Sequence, residues 1–282
     1  MNRDAKEPLS RCYTYKLNDN LSLRIYSDNS PRNLDTAAIH KGLILVSDGV
    51  ELVEEGSGFG LPVVKFGDRT FFPGSATLIV SSCNNPLIIT KTYEMNMISS
   101  LTLGGRTINN ALVKTLTKLF TKLYVIDSLQ PILSSTIGKR KLICLNPKFL
   151  LTNSRGEVEV KYSIHNQRVE VNAEARLRMP FEEIVLLNEQ GASTFRSYRD
   201  EGGILIDESI GAWKEIHYDK ASLMDINRYL SFSIEKPIDA RLYRGRESAK
   251  GKLSWSGLEL SFNEKTTLRY NILLSGNVCG ST

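Results

Sequence analysis

Two neighbouring segments of strict alternation constrain the fold of this chain most. Residues 157–164 read Glu-Val-Glu-Val-Lys-Tyr-Ser-Ile, and residues 169–177 read Val-Glu-Val-Asn-Ala-Glu-Ala-Arg-Leu. Successive side chains of a β-strand point to opposite faces of the sheet, so each segment predicts a strand with one apolar and one polar face. A tight turn at Asn166 and Gln167 would join the two strands into an antiparallel hairpin.

The hairpin also predicts a register. On its apolar face, Val158, Val160, Tyr162 and Ile164 lie opposite Ala175, Ala173, Val171 and Val169. On its polar face, Glu157 lies opposite Arg176, Lys161 opposite Asn172, and Glu159 opposite Glu174. The first polar pair is favourable, whereas the last brings two like charges together at a small cost.

Most of the remaining chain repeats this pattern in shorter form. Apolar or alternating runs follow one another at roughly 8–12 residues with turn residues between them, which is typical of a sandwich. The 282 residues are 41% hydrophobic, enough for a sizeable core. We therefore predict a mainly β fold, an antiparallel β-sandwich or supersandwich, formed by residues 1–282 as one domain. A short helix is predicted within residues 219–229.

One prominent amphipathic helix is predicted from Thr107, its N-cap, to about residue 126. Its apolar residues recur at helical spacing, and Lys114, Lys118 and Lys122 form a row on the other side. Burial of the apolar row inside the protein stabilises more than lipid contact of the lysines, so core packing is favoured. Binding of a partner or a membrane surface by the lysine row stays an alternative. Residues 104–131 are the possible seam in the domain.

A glycine-rich crossing leads into another predicted hairpin, which has its turn at Gly67 and Asp68. Gly56, Gly58 and Gly60 alternate, and Pro62 follows, so no helix begins there to cradle a phosphate. Glycine at these positions instead predicts positive φ angles or close backbone contacts. A ligand-facing loop with Glu54 and Glu55 at its mouth is the alternative.

Composition excludes several classes of function. A formal net charge of +5 with interspersed signs does not indicate nucleic-acid binding. The four cysteines form no C-x-x-C pair and the three histidines no local ligand pair, so neither a metal nor another cofactor is predicted. No apolar run is long enough to span a membrane and no signal peptide is seen, so a cytoplasmic location is expected. Oligomerisation stays possible.

Three polar clusters are the candidates for chemistry. They lie at residues 196–203, at residues 207–217 and at residues 241–255. Arginine forks bind hydroxyl and carboxylate groups, and indole rings pack on sugar faces. The candidate ligand-binding residues are therefore Arg199, Trp213, Arg244, Arg246 and Trp255. The alternative is a purely structural role, in which the charges form surface ion pairs and the tryptophans fill the core.

The third cluster carries the most specific prediction. Arg244, Arg246 and Glu247 end a predicted strand, and Trp255 lies on the next one, so the charges are expected beside the ring. The alternation of apolar residues shifts by one position across Gly257, which predicts a β-bulge there. If the protein is an enzyme, general acid–base chemistry by a histidine and a carboxylate is the expected reaction type.

The C-terminal half also resembles a known family. Its strands at residues 158–177, 183–188, 230–234 and 253–274 are similar to the two-sheet supersandwich of galactose mutarotase-like proteins. Members bind sugars on a concave sheet face, and the epimerases among them use a histidine acid and a glutamate base. The resemblance implies the same face here, with His217 and Glu247 as the nearest residues of those types.

Three functions follow from these observations. The first is recognition or conversion of a saccharide ligand on a polar sheet face. The second is a non-catalytic interaction or assembly module that uses strand edges and the lysine row. A carrier of small apolar ligands comes third, because it would need an apolar interior pocket. Whether the protein is an enzyme is left open by the sequence.

Overall fold

The computed structural model describes residues 12–27, 41–54, 56–67, 69–82, 85–99, 102–103, 106–107, 150–151, 154–206, 213–225, 227, 229–249 and 252–276. All regular secondary structure in these ranges consists of β-strands. They are β1 Cys12–Lys16, β2 Leu21–Tyr26, β3 Ile44–Ser47, β4 Val50–Glu51, β5 Gly58–Phe66, β6 Arg69–Ser82, β7 Leu87–Ser99, β8 Thr102–Leu103, β9 Arg106–Thr107, β10 Leu150–Leu151, β11 Gly156–His165, β12 Arg168–Leu177, β13 Glu183–Gln190, β14 Ser197–Asp200, β15 Gly203–Ile206, β16 Lys214–Ile216, β17 Lys220–Asp225, β18 Leu230–Glu235, β19 Arg241–Ala249, β20 Lys252–Asn263 and β21 Thr267–Gly276.

One large antiparallel sheet dominates the described residues. Its 15 strands follow the order β15-β14-β17-β18-β21-β12-β11-β7-β6-β5-β13-β20-β19-β16, and β10 adds to β7 outside this path. A second sheet of four strands follows the order β1-β2-β3-β4, while β8 and β9 form a small pair. The early strands β5, β6 and β7 lie between the later strands β11 and β13, so the large sheet joins hairpins that are far apart in the sequence.

The large sheet folds back on itself as a sandwich. Tyr270 on β21 donates a hydrogen bond of 2.7 Å to Asn188 Oδ1 on β13, across the interior. Phe232 on β18 makes edge-to-face contacts with Phe59 on β5 and with Phe195, at centroid distances of 5.0 and 5.1 Å. One apolar cluster contains side chains from both halves and from the four-stranded sheet. The predicted mainly β, antiparallel sandwich is therefore confirmed.

The hairpin predicted from alternation is confirmed in full. β11 and β12 pair with Val158 opposite Ala175 and with Glu157 opposite Arg176. Asn166 has a φ of 52° in the two-residue turn, the left-handed conformation that such turns require. The apolar residues of both strands are buried apart from the half-buried Leu177, whereas His165 beside the turn is exposed.

The helix predictions had different outcomes. Beyond Thr107, the predicted amphipathic helix with Lys114, Lys118 and Lys122 lies outside the described residues. Thr107 itself belongs to strand β9, so the proposed N-cap is not supported. The short helix predicted within residues 219–229 is wrong, because Lys220–Asp225 is strand β17 with every second side chain buried. No helix in the described ranges is long and apolar enough to cross a membrane.

The glycine crossing has the geometry that its composition predicted. Gly58 and Gly60 have φ angles of +77° and +76°. A Cβ atom on Gly58 would lie 2.9 Å from the backbone oxygen of Leu43, and one on Gly60 would lie 2.8 Å from Tyr162 Oη. Glycine is required at both positions because the conformation is left-handed and a second segment occupies the space of a side chain.

The predicted bulge at Gly257 is wrong in position. Gly257 pairs in regular register with Gly245 and Glu189, and the irregularity between β19 and β20 lies between Glu247 and Ser248. A Cβ atom on Gly257 would lie 2.8 Å from Glu189 Cγ and 3.1 Å from Trp213 Cη2. This glycine therefore makes room for neighbouring side chains and does not bend the strand.

Candidate functional site

The outer face of β16, β19, β20 and β13 brings several of the candidate residues together. Leu258, Leu260 and Phe262 point into the core, so the alternate residues of β20 point outward. The residues of β13 and β19 that pair with these outward residues of β20 lie on the same outer face. The outward residues used below are Trp213, Trp255, Glu189, Glu247 and Glu259, and we call them the tryptophan–carboxylate face.

The two tryptophans form a stacked pair above two glycines. Their ring centroids are 4.9 Å apart with an interplanar angle of 27°. A Cβ atom on Gly245 would lie 2.6 Å from Trp213 Cε3 and 2.9 Å from Trp255 Cη2. Because Gly245 and Gly257 are directly opposite one another in the ladder, the indoles approach the backbone closely. Both rings remain half-buried.

Glu189 lies next to this pair on β13. Its carboxylate accepts a hydrogen bond of 2.9 Å from the backbone N–H of Ser57. Burial of the side chain raises the pKa of Glu189 to about 7, and the nearby charge of Glu247 adds to this rise. Burial also raises the pKa of Glu247, although this residue is exposed at the face.

Glu259 is the third carboxylate, two residues beyond Gly257 on β20. Burial raises its pKa to about 7, while Lys65 opposes the rise and Glu183 and Glu189 add to it. The Lys65 ammonium is 3.9 Å from Glu259 Oε1 but 3.0 Å from Glu183 Oε2. Arg241 also pairs with Glu183 at 3.1 Å. The cations of this face thus gather at Glu183, at the far end from the tryptophans.

The structure separates the arginines from the ring that they were expected to flank. Arg244 and Arg246 alternate with Glu247 on β19 and point inward, where both are buried. The Arg244 guanidinium lies 4.5 Å from the ring centroid of Tyr198. Arg246 donates hydrogen bonds of 2.9 and 3.3 Å to the carbonyl oxygens of Ala192 and Arg196. Trp255 and these guanidinium groups are therefore on opposite faces of the sheet.

A small cavity lies beside the buried arginines. It has a volume of ≈ 20 Å³ and is lined by Arg196, Tyr198, Leu205, Leu223, Arg244, Gly245, Arg246 and Ser256. A space of this size holds about one water molecule. It is too small for a sugar ring, so the inner face does not offer a saccharide site in this conformation.

The other two predicted residues lie away from the stacked pair. Arg199 is exposed on β14, in the opposite half of the large sheet. His217 directly follows Ile216, which pairs with Leu242, five residues before Glu247 on the same strand. At about 3.3 Å per residue this separation is about 16 Å. The structure does not bring His217 and Glu247 together as an acid–base pair.

A wider groove lies at the end of β11 and β12. Its volume is ≈ 540 Å³, and it is lined by Glu94, Ser154, Gly156, Glu157, Arg176, Leu177 and Arg178. Arg176 in this groove is already paired with Glu157 at 3.3 Å and with Glu174 at 3.1 Å. The described residues that line the groove include no aromatic ring, so it lacks the platform that the tryptophans form.

Glu189 and Glu259 were not among the residues that the sequence predicted for the site. Glu259 is flanked by Leu258 and Leu260, and Glu189 lies between Asn188 and Gln190 at the end of β13; neither falls within the three polar clusters. The signal that would have found Glu259 is its spacing: Trp255, Gly257 and Glu259 are every second residue of one strand and therefore share a face. For Glu189 the deciding fact is the pairing of β13 with β20, which no local pattern encodes.

The raised pKa values predict how stability depends on pH. Between pH 4.5 and 7 the folded protein holds protons on Glu189 and Glu259 that the unfolded chain releases, so the free energy of unfolding falls as pH rises. For a carboxyl group whose pKa rises from 4.5 to about 7, the free energy of unfolding falls by about 3 kcal/mol over this range. Burial lowers the pKa of Lys91 to about 7, so Lys91 changes the free energy of unfolding only above about pH 7. Urea unfolding of the unmodified protein at pH 5, 6 and 7 measures the slope.

Glutamine at positions 189 and 259 removes these titrations and is expected to flatten the slope. Glu174→Gln is the matched control, because Glu174 is an exposed glutamate on β12. An unchanged slope in Glu189→Gln and Glu259→Gln would show that the two carboxyl groups titrate normally.

Comparison with known proteins gave matches at the level of structure only. The sequence matches no protein-family model and no curated protein sequence. An alpha-N-acetylgalactosaminidase from Bifidobacterium bifidum, solved as a GalNAc complex, matches with a TM-score of 0.50 and 8% identity. That match covers 94% of this chain but 36% of the other, so the chain spans about a third of the length of that enzyme.

Two other solved structures match along the whole length of their chains. A galactose mutarotase-like protein from Lactobacillus casei has a TM-score of 0.46 and 12% identity, with 94% of this chain and 100% of that chain covered. A galactose mutarotase related enzyme from Lactobacillus acidophilus has a TM-score of 0.43 and 7% identity, covering 96% and 100%. Structures described as galactose mutarotase-like are thus among the matches, as the resemblance in the sequence predicted.

Proposed function

We propose that the protein binds a saccharide on the tryptophan–carboxylate face. The observation that carries this proposal is the stacked pair of Trp213 and Trp255 on the same side of the sheet as Glu189 and Glu247. A sugar offers an apolar C–H face that packs on an aromatic ring and hydroxyl groups that donate hydrogen bonds to carboxylates. The two kinds of group meet here within a few residues of one another.

The similarity of fold supports this proposal by analogy. The matching structure with a TM-score of 0.50 is an enzyme named for its action on an N-acetylgalactosaminide. Unrelated functions occur on one fold, so the analogy adds weight to the class of ligand and assigns no residue. Conversion of the bound sugar is the extension of the proposal. Carboxyl groups with pKa values of about 7, as in Glu189 and Glu259, suit proton transfer near neutral pH.

Calorimetric titration with a panel of monosaccharides and disaccharides tests the proposal. At least one sugar is expected to bind the unmodified protein, and Trp255→Ala is expected to weaken its binding by about tenfold or more through loss of ring contact. Tyr13→Ala is the matched control, because Tyr13 is an exposed aromatic residue on β1. Equal weakening by both substitutions would show that the tryptophan pair is not the site.

A second candidate function rests on strand β15, which is an edge strand of the large sheet among the described residues. Strand β15 forms this edge, and Ile204 and Ile206 on it are 54% and 58% exposed. An exposed apolar edge strand can pair with a strand of another molecule. If no sugar binds in the titration and the protein associates through this edge in sedimentation experiments, the interaction module replaces the saccharide-binding protein as the better account.

A further inference from the structure

We propose that the protein forms a homodimer in which strand β6 of one copy pairs antiparallel with β6 of a second copy. The pairing segment is residues 76–80, Ala-Thr-Leu-Ile-Val, which we call the β6 edge. The large sheet would then continue from one molecule into the other through backbone hydrogen bonds, as it does when a sheet recognises an added strand. Formation of this dimer does not depend on the binding of a saccharide.

The β6 edge has a ladder partner on one side only among the described residues. On that side it pairs regularly with β7, from Ala76 opposite Tyr93 to Val80 opposite Ile89. On the other side, β5 pairs with only the first three residues of β6. The backbone groups of the β6 edge that point away from β7 therefore meet no second strand in the described part of the chain, and such groups can pair with a strand of another molecule.

The distribution of charge on the outer face of the sheet points to a protein partner for this edge. The β6 edge and its outward neighbours on β7, Thr90 and Thr92, carry no charge. Charges begin one strand further from the edge, where Lys161 and Glu159 of β11 lie opposite these threonines. An edge strand that stays in water is ordinarily protected by charged side chains, by proline or by short length. Here the charges lie away from the edge instead.

Apolar side chains on both faces of the β6 edge are left partly uncovered. On the outer face, Ile79 is 62% exposed. On the inner face, Ala76, Leu78 and Val80 pack against the core but are only half-buried, whereas Tyr93 beside them on β7 is fully buried. A strand added next to β6 would cover both sets of side chains, and removal of this apolar surface from water favours association.

A second copy of the chain is the partner that the β6 edge fits. Two identical strands can pair antiparallel about a two-fold axis, which makes an isologous interface. Residues directly opposite one another share a face of the sheet. With the axis at Leu78, Thr77 of each copy lies opposite Ile79 of the other, and the small Ala76 lies opposite Val80. No like charges meet in this register, and no proline interrupts it.

The two strands that end the order of the large sheet fit a second copy less well. Strand β15 has four residues, and Asp207 follows it in the sequence. Strand β16 has three residues and carries Lys214 and Glu215. Short length and charge are features that keep an edge unpaired. The 14-residue strand β6 has neither feature along residues 76–80.

Sedimentation equilibrium of the unmodified protein at about 1 µM to about 200 µM tests for the dimer. Five paired residues a side make a small interface, since standard interfaces have about 20–30 residues a side, so a micromolar dissociation constant is expected. A protein that stays monomeric over this range would overturn the proposal. Another segment of this chain, or a different protein, would then be the occupant of the β6 edge.

Charged variants assign the dimer to the β6 edge. Ile79→Lys and Thr77→Glu each place like charges on diagonal positions of the two copies, so each is expected to raise the dissociation constant at least tenfold. Both side chains are exposed, and thermal unfolding and circular dichroism are expected to show an intact fold. Ile204→Lys is the matched control, because Ile204 is an exposed isoleucine on β15, and it is expected to leave the dimer unchanged.

A mixture of the two variants tests the register. The lysine introduced at position 79 of one copy would lie opposite the glutamate introduced at position 77 of the other, so the equimolar mixture is expected to regain the association that each variant loses. A mixture that stays monomeric would overturn the pairing about Leu78. A dimer that survives Ile79→Lys, or that is lost in Ile204→Lys, would place the interface elsewhere and overturn the proposal.

Discussion

Gly58→Val is expected to destabilise the protein by several kcal/mol or to prevent folding. Two penalties coincide at this position. The φ angle of +77° is one that side chains with a branched Cβ rarely adopt, and the new Cβ would lie 2.9 Å from the backbone oxygen of Leu43. A backbone atom has no alternative rotamer, so the clash displaces the segment that joins the two sheets.

A matched control separates these two penalties. Gly49 has a similar φ angle of +80°, but nothing lies within 4 Å of its would-be Cβ. Gly49→Ala is expected to cost about 1 kcal/mol from backbone strain alone, whereas Gly58→Ala carries the contact in addition. Thermal and urea unfolding measure both variants. Equal losses of stability at the two sites would show that Gly58 makes no close contact.

Arg246→Ala is expected to cost about 3 kcal/mol or more in the free energy of unfolding. The side chain is 4% exposed and its guanidinium donates hydrogen bonds to the carbonyl oxygens of Ala192 and Arg196. Hydrogen bonds from a charged donor contribute more than neutral ones, and removal of the donor leaves buried acceptors unsatisfied. An exposed Arg246 that binds a ligand, as the sequence predicted, would change the free energy of unfolding by less than about 1 kcal/mol.

Arg199→Ala is the matched control, since Arg199 is an exposed arginine on β14. Its effect on stability is expected to stay within about 0.5 kcal/mol. Urea unfolding curves of the two variants give the comparison. If Arg246→Ala unfolds like Arg199→Ala, the buried position of Arg246 is incorrect and the arginine returns to the list of candidate ligand contacts.

Local patterns predicted the parts of the fold that depend on alternation within one strand. The hairpin of β11 and β12 is in the predicted register because the apolar face of each strand fixes which residues lie inward. Gly58 was predicted from spacing because only glycine suits positive φ at a close contact. The segment Lys220–Asp225 was misjudged as helical because its length allows either period, and pairing with β18 decides between them.

The candidate site was harder to predict because it depends on pairing between distant strands. Trp213 and Trp255 were recognised individually, but their contact requires β16, β19 and β20 to be neighbours. Arg244 and Arg246 were expected beside Trp255 because they end a strand that a short turn joins to the strand of Trp255. The register decides otherwise: Glu247 is opposite Trp255, so alternation places Arg244 and Arg246 on the inner face.

The chain has only two tryptophans, and both belong to the tryptophan–carboxylate face. Tryptophan fluorescence therefore reports on this face without any label. Titration of the unmodified protein with the sugar panel is expected to change the emission of the stacked pair in a saturable manner, with the same dissociation constant as calorimetry. Sugar binding detected by calorimetry without a change in tryptophan emission would contradict the assignment of the site to Trp213 and Trp255.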